Sequence, residues 1–442
     1  MKFCNYSLRK TAFLALLCSC MIWVTAIDVQ AQQVGDGSLY SRFGVGDLFS
    51  FESSQIQGMG GGGTALTSLN YVNMGNPATW SDQQLARLAG SVLFQGIEIS
   101  DESGEASRLN SSQLQAFQFT FPLKAGKLGA IVSYAPYSRV AHRVQRAQVE
   151  VDTDPTIINP SAYSISFEGS GGLQQARVGL GYRASRMISF GVSADFTFGI
   201  LEERRITDFN TGEFVSTAFT NSTRLAGIST TVGALFSIPQ LLSDQDALSI
   251  GLSIATPANL DGTQIRTTGA GLAADTLGSE VKGDVTLPIN TNIGLSYHAN
   301  AKWTIVANYS YNPWSDFEST LAIPGYNPGE SSFLDDRSRF SMGASFIASN
   351  NPLDSYFKRV GYRLGFYTDS GYINLGNSQD LNSVAVTGGI SLPTLFPGTR
   401  IDINVELGRR GSTNQNLVKE TFFKFHVNVN IGERWFERRK LG

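Results

Sequence analysis

The sequence is poor in cysteine and histidine, and neither sign of charge dominates it. Its 442 residues include 3 cysteines and 3 histidines, and the formal net charge is −3. Cys4, Cys18 and Cys20 all precede residue 32. A chain cleaved at that point would therefore lack disulfides, cysteine zinc sites and thiol nucleophiles. The scattered Lys and Arg residues provide no basic surface, so no nucleic-acid partner is expected.

Long apolar runs are equally scarce, and one uncharged run that is largely apolar, residues 11–27, lies near the N-terminus. Lys2, Arg9 and Lys10 precede this run and Val29-Gln30-Ala31 follows it, a layout that predicts a cleaved signal peptide over residues 1–31. A membrane anchor helix, for which the run is slightly short, and a lipoprotein at Cys20 are the alternatives. Because no later segment reaches the length of a spanning helix, any further membrane crossing requires strands.

Alternation of apolar and polar residues recurs through the rest of the chain. Near the C-terminus, for example, Phe423, Val427 and Ile431 alternate with Lys424 and Asn428. A strand of a soluble two-sheet sandwich would share this pattern, but long connections such as 139–172 alternate with short ones such as 124–126, as in outer-membrane barrels. We therefore predict an all-β fold, a 14-stranded antiparallel outer-membrane β-barrel over residues 89–432, with both termini and a tail of residues 433–442 in the periplasm. The predicted strands are 89–99, 112–123, 127–138, 173–185, 187–200, 225–238, 246–256, 286–299, 301–312, 338–348, 357–369, 380–392, 399–409 and 420–432.

Residues 32–88 do not alternate, yet they are too rich in large apolar groups for a solvated tail. The glycine run over residues 58–63 lacks the Lys-Ser/Thr ending of a phosphate loop. A barrel of this size would leave an open lumen, so we expect this segment to form an N-terminal hatch, or plug. Its predicted hatch residues are Gly58, Gly60, Gly61, Gly62, Gly63, Asn76, Pro77 and Ala78.

Two stretches of the sequence resemble the long-chain fatty-acid transporter (FadL) family of outer-membrane proteins. One is the hatch pattern above, and the other is a Leu-Pro, Gly-x-x-Tyr, aromatic-rich pair of strands ending in Trp-Ser-x-Phe. The second is carried by Leu287-Pro288, Gly294, Tyr297, Trp303, Tyr309, Trp314-Ser315 and Phe317. The resemblance implies a plugged fourteen-stranded barrel that binds hydrophobic small molecules. No fatty-acid-contacting residue carries over, because the long loops show no match.

The C-terminal stretch resembles a Bacteroidetes-type branch of such proteins, through Gly408, Arg409-Arg410-Gly411, Lys419-Glu420 and Glu433-Arg434-Trp435-Phe436. The chain continues beyond its last aromatic pair, whereas barrel assembly signals usually end on an aromatic residue. Aromatic side chains favour the membrane–water interface. We therefore predict interface anchors at Trp314, Trp435 and Phe436.

Pro136 lies in the third predicted strand and cannot donate a backbone hydrogen bond to a neighbouring strand. The strand is expected either to end at Pro136 or to bend inward there. The FadL resemblance implies an inward kink in this strand that opens the wall sideways to lipid. Pro136 is therefore the candidate for a lateral opening.

Catalysis is not predicted, because none of His142, His298 and His426 accompanies a Gly-x-Ser-x-Gly nucleophile elbow. We expect no enzyme, cofactor or metal, but a passive outer-membrane channel for hydrophobic small molecules such as long-chain fatty acids, in contact with outer-membrane lipid. The alternatives are a structural or secretion-associated barrel that binds a partner protein, and a polar diffusion porin, against which the hatch argues. Apolar loop residues predict either a ligand groove or loop-to-loop packing; they are Ile157, Ile158, Phe209, Phe214, Phe219, Leu260, Leu272, Leu277, Leu321, Ile323, Phe333 and Leu334.

Overall fold

A computed structural model of the chain describes residues 37–104, 106–150, 162–209, 216–269, 274–326, 334–375, 381–396, 398–413 and 417–434. Side chains are described within these ranges except over residues 146–150. The predicted signal peptide and the predicted anchors Trp435 and Phe436 lie outside the described residues.

Fourteen antiparallel strands close into one barrel, as predicted. The last strand pairs with the first, from Ala86 opposite Glu433 to Ser100 opposite Lys419. Three strands consist of two segments each. The strands are β1 (Ala86–Ser100), β2 (Ala106–Lys124), β3 (Leu128–Pro136, then His142–Glu150), β4 (Ala162–Arg183), β5 (Ile188–Phe209), β6 (Thr217–Pro239), β7 (Ala247–Ala255, then Ala258–Thr268), β8 (Val281–Leu287, then Asn290–His298), β9 (Trp303–Asn312), β10 (Arg337–Ile347), β11 (Gly361–Asp369), β12 (Ser383–Pro393), β13 (Arg400–Arg410) and β14 (Lys419–Glu433).

The alternation along the strands places apolar side chains outside and polar side chains inside. On β13, Leu407 is 57% exposed while Asp402 and Glu406 are buried. On β14, Phe423 is exposed while His426 is buried. A soluble sandwich would bury the apolar face instead, so this pattern, with its apolar outer face, is that of an outer-membrane barrel.

Several strands extend well beyond their predicted ends. Strands β4, β5 and β6 remain paired up to Tyr163 opposite Phe209 and Thr207 opposite Thr217, through segments expected to be loops. The strict alternation of long and short connections was wrong: five residues, 101–105, connect β1 to β2, whereas thirteen, 348–360, connect β10 to β11. Backbone pairing continues wherever a neighbouring strand supplies partners, and the local sequence pattern does not report this.

The remaining elements are short. The 3₁₀ helices are Leu39–Arg42, Pro77–Asp82 and Trp314–Asp316, and the α-helices are Ser54–Gln57 and Tyr356–Arg359. Two-residue strands occur at Asp47–Leu48, Ser138–Arg139, Asp275–Thr276 and Glu318–Ser319. None of the helices in the described part of the chain has the length and apolarity that a membrane crossing demands, a finding that says nothing of a β-barrel.

Candidate functional site: the hatch segment and the wall gap

Residues 37–85, which we call the hatch segment, pack against the inward-facing side of the barrel wall. The glycine run is fixed to β10 and β12 by hydrogen bonds. The Gly60 amide donates to Thr387 Oγ1 over 2.8 Å, and Thr387 Oγ1 donates to the Gly58 carbonyl over 3.1 Å. Arg339 donates to the Gly60 carbonyl over 3.0 Å. The predicted hatch glycines therefore hold the backbone against the wall.

The second predicted hatch motif, Asn76-Pro77-Ala78, begins the 3₁₀ helix Pro77–Asp82. Asn76 caps this helix, because its Oδ1 accepts from the Ala78 amide at 3.0 Å, while its Nδ2 donates to the Thr64 carbonyl over 2.8 Å. Trp80 is fully buried, and its indole nitrogen donates to the Asn73 carbonyl over 2.7 Å. The helix packs on glycines of the wall, namely Gly129, Gly179, Gly181, Gly191 and Gly233. Such inward-facing glycines let two backbones approach closely.

We expect Gly191→Ala to loosen the hatch segment. A Cβ atom at Gly191 would lie 2.2 Å from the carbonyl carbon of Pro77, so backbone must move, and overpacking of this kind costs about 1–3 kcal/mol. Gly90→Ala is the matched control, since a Cβ at Gly90 meets no atom within 4 Å. Thermal unfolding of the purified proteins in detergent, with limited proteolysis of the hatch segment, checks this. Equal behaviour of the two variants would contradict the packing described.

Buried ion pairs of the lumen also include hatch residues. Arg363 lies 2.9 Å from Asp402, and Tyr71 of the hatch segment donates to the same Asp402 oxygen over 2.7 Å. Arg410 pairs with Glu420 at 2.7 Å and with Asp47 of the hatch segment at 2.8 Å. A buried charge is costly unless it is fully partnered. Removing the hatch segment would leave both clusters incomplete.

Glu52 of the hatch segment is a half-buried carboxyl group facing the lumen. Burial raises its pKa to about 7, against the opposing effects of a hydrogen bond from the Gly63 amide and of the charges of Arg339 and Arg177. The Gly63 amide donates to Glu52 Oε2 over 3.0 Å. Docking of the hatch segment should therefore depend on whether Glu52 carries its proton.

The sign of this dependence follows from the raised pKa. A released segment would lose the Glu52 proton near the ordinary pKa of a glutamate, 4.5, whereas the docked segment keeps it up to about pH 7. Docking should thus weaken as the pH rises between these values. Proteolysis of the hatch segment should accelerate across this window in the native chain and stay level in Glu52→Gln. The same pH profile in both proteins would contradict this role of Glu52.

The barrel wall is incomplete beside Pro136. The first segment of β3, Leu128–Pro136, ends at Pro136; we call it the lower segment. The second segment, His142–Glu150, which we call the upper segment, pairs only with β4 in the described part of the chain. Strand β2 pairs with β3 from Phe117 to Lys124. Residues 106–116 of β2 therefore have no backbone partner on this side among the described residues. We call the space between residues 106–116 and the upper segment of β3 the wall gap.

The hatch segment lies at the lower edge of the wall gap. Its short strand Asp47–Leu48 pairs antiparallel with Ser138–Arg139, the residues between the two segments of β3. The Phe49 amide donates to the Tyr137 carbonyl over 2.9 Å. The Arg139 guanidinium reaches toward β2 and donates to Ser111 Oγ over 3.1 Å. Between its two segments, β3 therefore pairs with a strand of the hatch segment and not with a neighbouring barrel strand.

Two lumen cavities meet at this strand. One, of about 180 Å³, is lined by Pro136 and Tyr137, which border the wall gap, and also by Phe49 and Phe51. The other, of about 150 Å³, lies beside Asp47 and Leu48 and is lined by the charged groups around Glu406. Phe49 and Ser50 border both cavities. Movement of residues 47–50 would connect both cavities with the wall gap.

Comparison with known proteins gives a family for this chain. The model of a family described as BamG matches residues 13–442. The chain belongs to the BamG family. No curated protein sequence matches this BamG-family chain significantly.

Solved structures share the fold of this BamG-family protein at low identity. The CymD monoaromatic hydrocarbon channel is 14% identical with a TM-score of 0.55, covering 88% of this chain and 99% of CymD. The Ralstonia pickettii toluene transporter TbuX is 14% identical with a TM-score of 0.54, covering 87% and 99%. A Pseudomonas aeruginosa FadL homologue is 11% identical with a TM-score of 0.55, covering 87% and 98%. The FadL-type fold expected from the sequence is thus present, whereas nothing in these similarities supports a Bacteroidetes-type branch.

The position of Trp314 corrects one prediction for this BamG-family chain. Trp314 was expected to anchor the barrel at the membrane interface, but it is 1% exposed. Its ring lies 4.4 Å from the Tyr372 ring and 5.8 Å from the Phe317 ring, measured between centroids. Because these rings and their neighbours form an apolar cluster, Trp314 packs inside it and does not reach lipid.

Packing in the cluster that contains Trp314 accounts for part of the apolar residues that the sequence placed in the loops of the BamG-family chain. Leu260, Leu321, Ile323 and Leu334 are all buried in the cluster that contains Trp314. Phe219 and Leu277, by contrast, are 48% and 43% exposed and line a separate cavity. Ile157, Ile158, Phe214, Leu272 and Phe333 lie outside the described residues.

Proposed function

We propose that the chain is a passive outer-membrane channel for hydrophobic small molecules, such as long-chain fatty acids, and that its ligand leaves the lumen sideways through the wall gap. The observation that best supports this proposal is the interruption of β3 at Pro136, with the Asp47–Leu48 strand paired to Ser138–Arg139 beside it. An apolar ligand that leaves through the wall avoids about 25 cal/mol of unfavourable hydration per Å² of its apolar surface.

The lining of the larger lumen cavity supports this route. Where the cavity meets the wall gap it is bordered by Phe49, Phe51 and Tyr137, which offer apolar contacts. Deeper in, Asn290, Asn292 and other polar groups line it. An apolar molecule is therefore favoured on the side of the gap, next to lipid.

In this proposal the hatch segment has two roles. It plugs the lumen, since it packs against β4–β6 at one side and β10–β12 at the other. Its Asp47–Leu48 strand also acts as a shutter, which must leave Ser138–Arg139 before ligand passes the gap. How readily the segment moves depends on the protonation state of Glu52 and on the ion pair between Asp47 and Arg410.

Mass spectrometry of molecules retained by the purified protein tests the ligand class, together with uptake of a neutral apolar probe into liposomes that contain it. Amphipathic molecules with long apolar chains should be enriched over bulk membrane lipid, and uptake should exceed that of protein-free liposomes. Recovery of bulk lipid alone, with uptake at the protein-free rate, would contradict the proposal.

A partner-binding barrel is the second candidate, favoured by apolar residues on two neighbouring turns. Leu353 is 93% exposed, Phe357 78% and Leu395 91%. The turns are adjacent, because Arg400 donates to the Arg359 carbonyl over 3.0 Å. Co-purification of a stoichiometric protein with a barrel that takes up no probe would favour this function over transport.

A further inference from the structure

A third cavity, of about 320 Å³, lies beside the start of the hatch segment, at the end of the barrel where β4 and β6 begin and where β5 and β7 end. Strand register explains its lining. Phe167 of β4 lies opposite Arg205 of β5, which lies opposite Phe219 of β6. One row lower, Glu203 lies opposite Asn221, which lies opposite Arg266 of β7. Because antiparallel partners point to the same face, the two rows border one space.

The charges around this cavity do not balance. Arg42 of the hatch segment joins Arg205 and Arg266, and none of the three has a carboxylate within salt-bridge distance in the described part of the chain. Glu203 also lines the cavity. The other carboxylate there, Glu168, is already paired with Arg143 at 2.6 Å. With Arg204, which also lines the cavity, four guanidinium groups thus face one unpaired carboxylate.

Aromatic and aliphatic groups complete the lining. The Arg42 guanidinium lies 5.1 Å from the centre of the Phe167 ring, and that of Arg205 lies 6.0 Å from it. Phe219 and Leu277 present exposed apolar surface to the same space. Guanidinium groups that lie over a ring remain free to donate hydrogen bonds along their edges.

Two further lining residues have buried polar atoms without hydrogen-bond partners among the described residues. These atoms are His142 Nδ1 and Asn221 Oδ1. Both atoms are enclosed by the surrounding protein, so a molecule in the cavity does not reach them. The volume is at the lower end of the range for small-molecule sites, which is too little for a long alkyl chain.

We propose that this cavity is a binding site for compact aromatic carboxylates. The carboxylate would accept paired hydrogen bonds from Arg205 and Arg266, and the ring would contact Phe219 and Leu277. A neutral hydrocarbon would leave the three arginines without an anionic partner. The proposal names a substrate class for the proposed channel and in that respect rests on it. Because Arg42 belongs to the hatch segment, that segment is part of the site. Arg42 lies five residues before the start of the shutter strand.

Calorimetric titration of the purified full-length protein tests the site with 2-naphthoate and its neutral counterpart 2-naphthalenemethanol. We expect the alcohol to bind at least about tenfold more weakly than the acid, as loss of one charged hydrogen bond predicts. Arg205→Gln combined with Arg266→Gln should weaken naphthoate binding by a similar or larger factor. Arg224→Gln is the matched control, since Arg224 is exposed and lies opposite the exposed, outward-facing Ile200, and it should change nothing.

Equal affinity for acid and alcohol, or unchanged binding in the double variant, would overturn the site. Liposome uptake of the alcohol, measured separately, keeps the two proposals apart. Uptake without naphthoate binding would overturn the site and leave the channel standing. Naphthoate binding that depends on both arginines, without any uptake, would support the site and contradict the channel.

Discussion

Deleting residues 32–85 is expected to convert a closed barrel into an ion-conducting one. The deletion ends just before β1 begins at Ala86, so every strand of the barrel is retained. It removes Trp80, Met59 and the other buried groups that occupy the lumen. The remaining wall carries polar side chains such as Asp402 and Asn404, which water would hydrate. A fourteen-stranded barrel emptied in this way is wide enough for an aqueous path.

Planar-bilayer recordings measure this change directly. The native protein should give a closed trace and the deletion variant should give stable conductance steps. Heat-dependent migration on gels and a β-type circular dichroism spectrum verify that the variant is folded. A folded deletion variant with a trace as closed as that of the native protein would show that the hatch segment does not seal the lumen.

Alternation was sufficient to predict the strands, whereas the choice of a barrel over a soluble sandwich also needed the unequal connections. On β13 and β14 every apolar residue predicted to face lipid is partly or largely exposed, including Ile401, Leu407 and Phe423. Their polar neighbours are mostly buried, as the lumen face of a barrel requires. This pattern is local, because side chains on one strand alternate whatever the partner strand is. The strand count therefore followed from the sequence, whereas the strand ends depended on pairing between distant segments.

The interior of the barrel was less predictable. Its signal lay in strand glycines such as Gly179, Gly191 and Gly365, whose Cβ atoms would overlap with hatch backbone or side chains. A glycine in a strand indicates that another part of the molecule packs closely against it, but it does not indicate which segment does so. The Arg363, Asp402 and Tyr71 cluster joins three segments that are distant in sequence, so no local motif could reveal it.

Context also decided the outcome for Pro136 and Trp314. The sequence left open whether β3 ends or bends at Pro136, and in the structure it stops there and resumes at His142. Only the pairing of β2 shows that the interruption leaves part of the wall unpaired. A tryptophan near a strand end suits a membrane interface and a buried cluster equally well by composition. The neighbouring Phe317 and Tyr372 placed Trp314 in the cluster.

A disulfide between the shutter strand and β3 should abolish transport. Leu48 and Ser138 are direct partners in the antiparallel pair, so Leu48→Cys with Ser138→Cys places two thiols within bonding reach. The three native cysteines precede residue 32 and would be removed with the predicted signal peptide. The bond would hold Asp47–Leu48 at the wall gap. The matched control is Val384→Cys with Arg409→Cys, which joins β12 and β13 where they are already paired.

The measurement that tests the lateral route most directly is uptake of a neutral apolar fluorescent probe by liposomes containing the Leu48–Ser138 disulfide variant, before and after addition of a reductant. We expect liposomes with the oxidised protein to take up probe no faster than protein-free liposomes, and we expect the reductant to restore the native rate. The control disulfide should have no effect in either state. Uptake at the native rate by the fully oxidised Leu48–Ser138 variant would contradict the proposal that ligand leaves through the wall gap when the shutter strand moves.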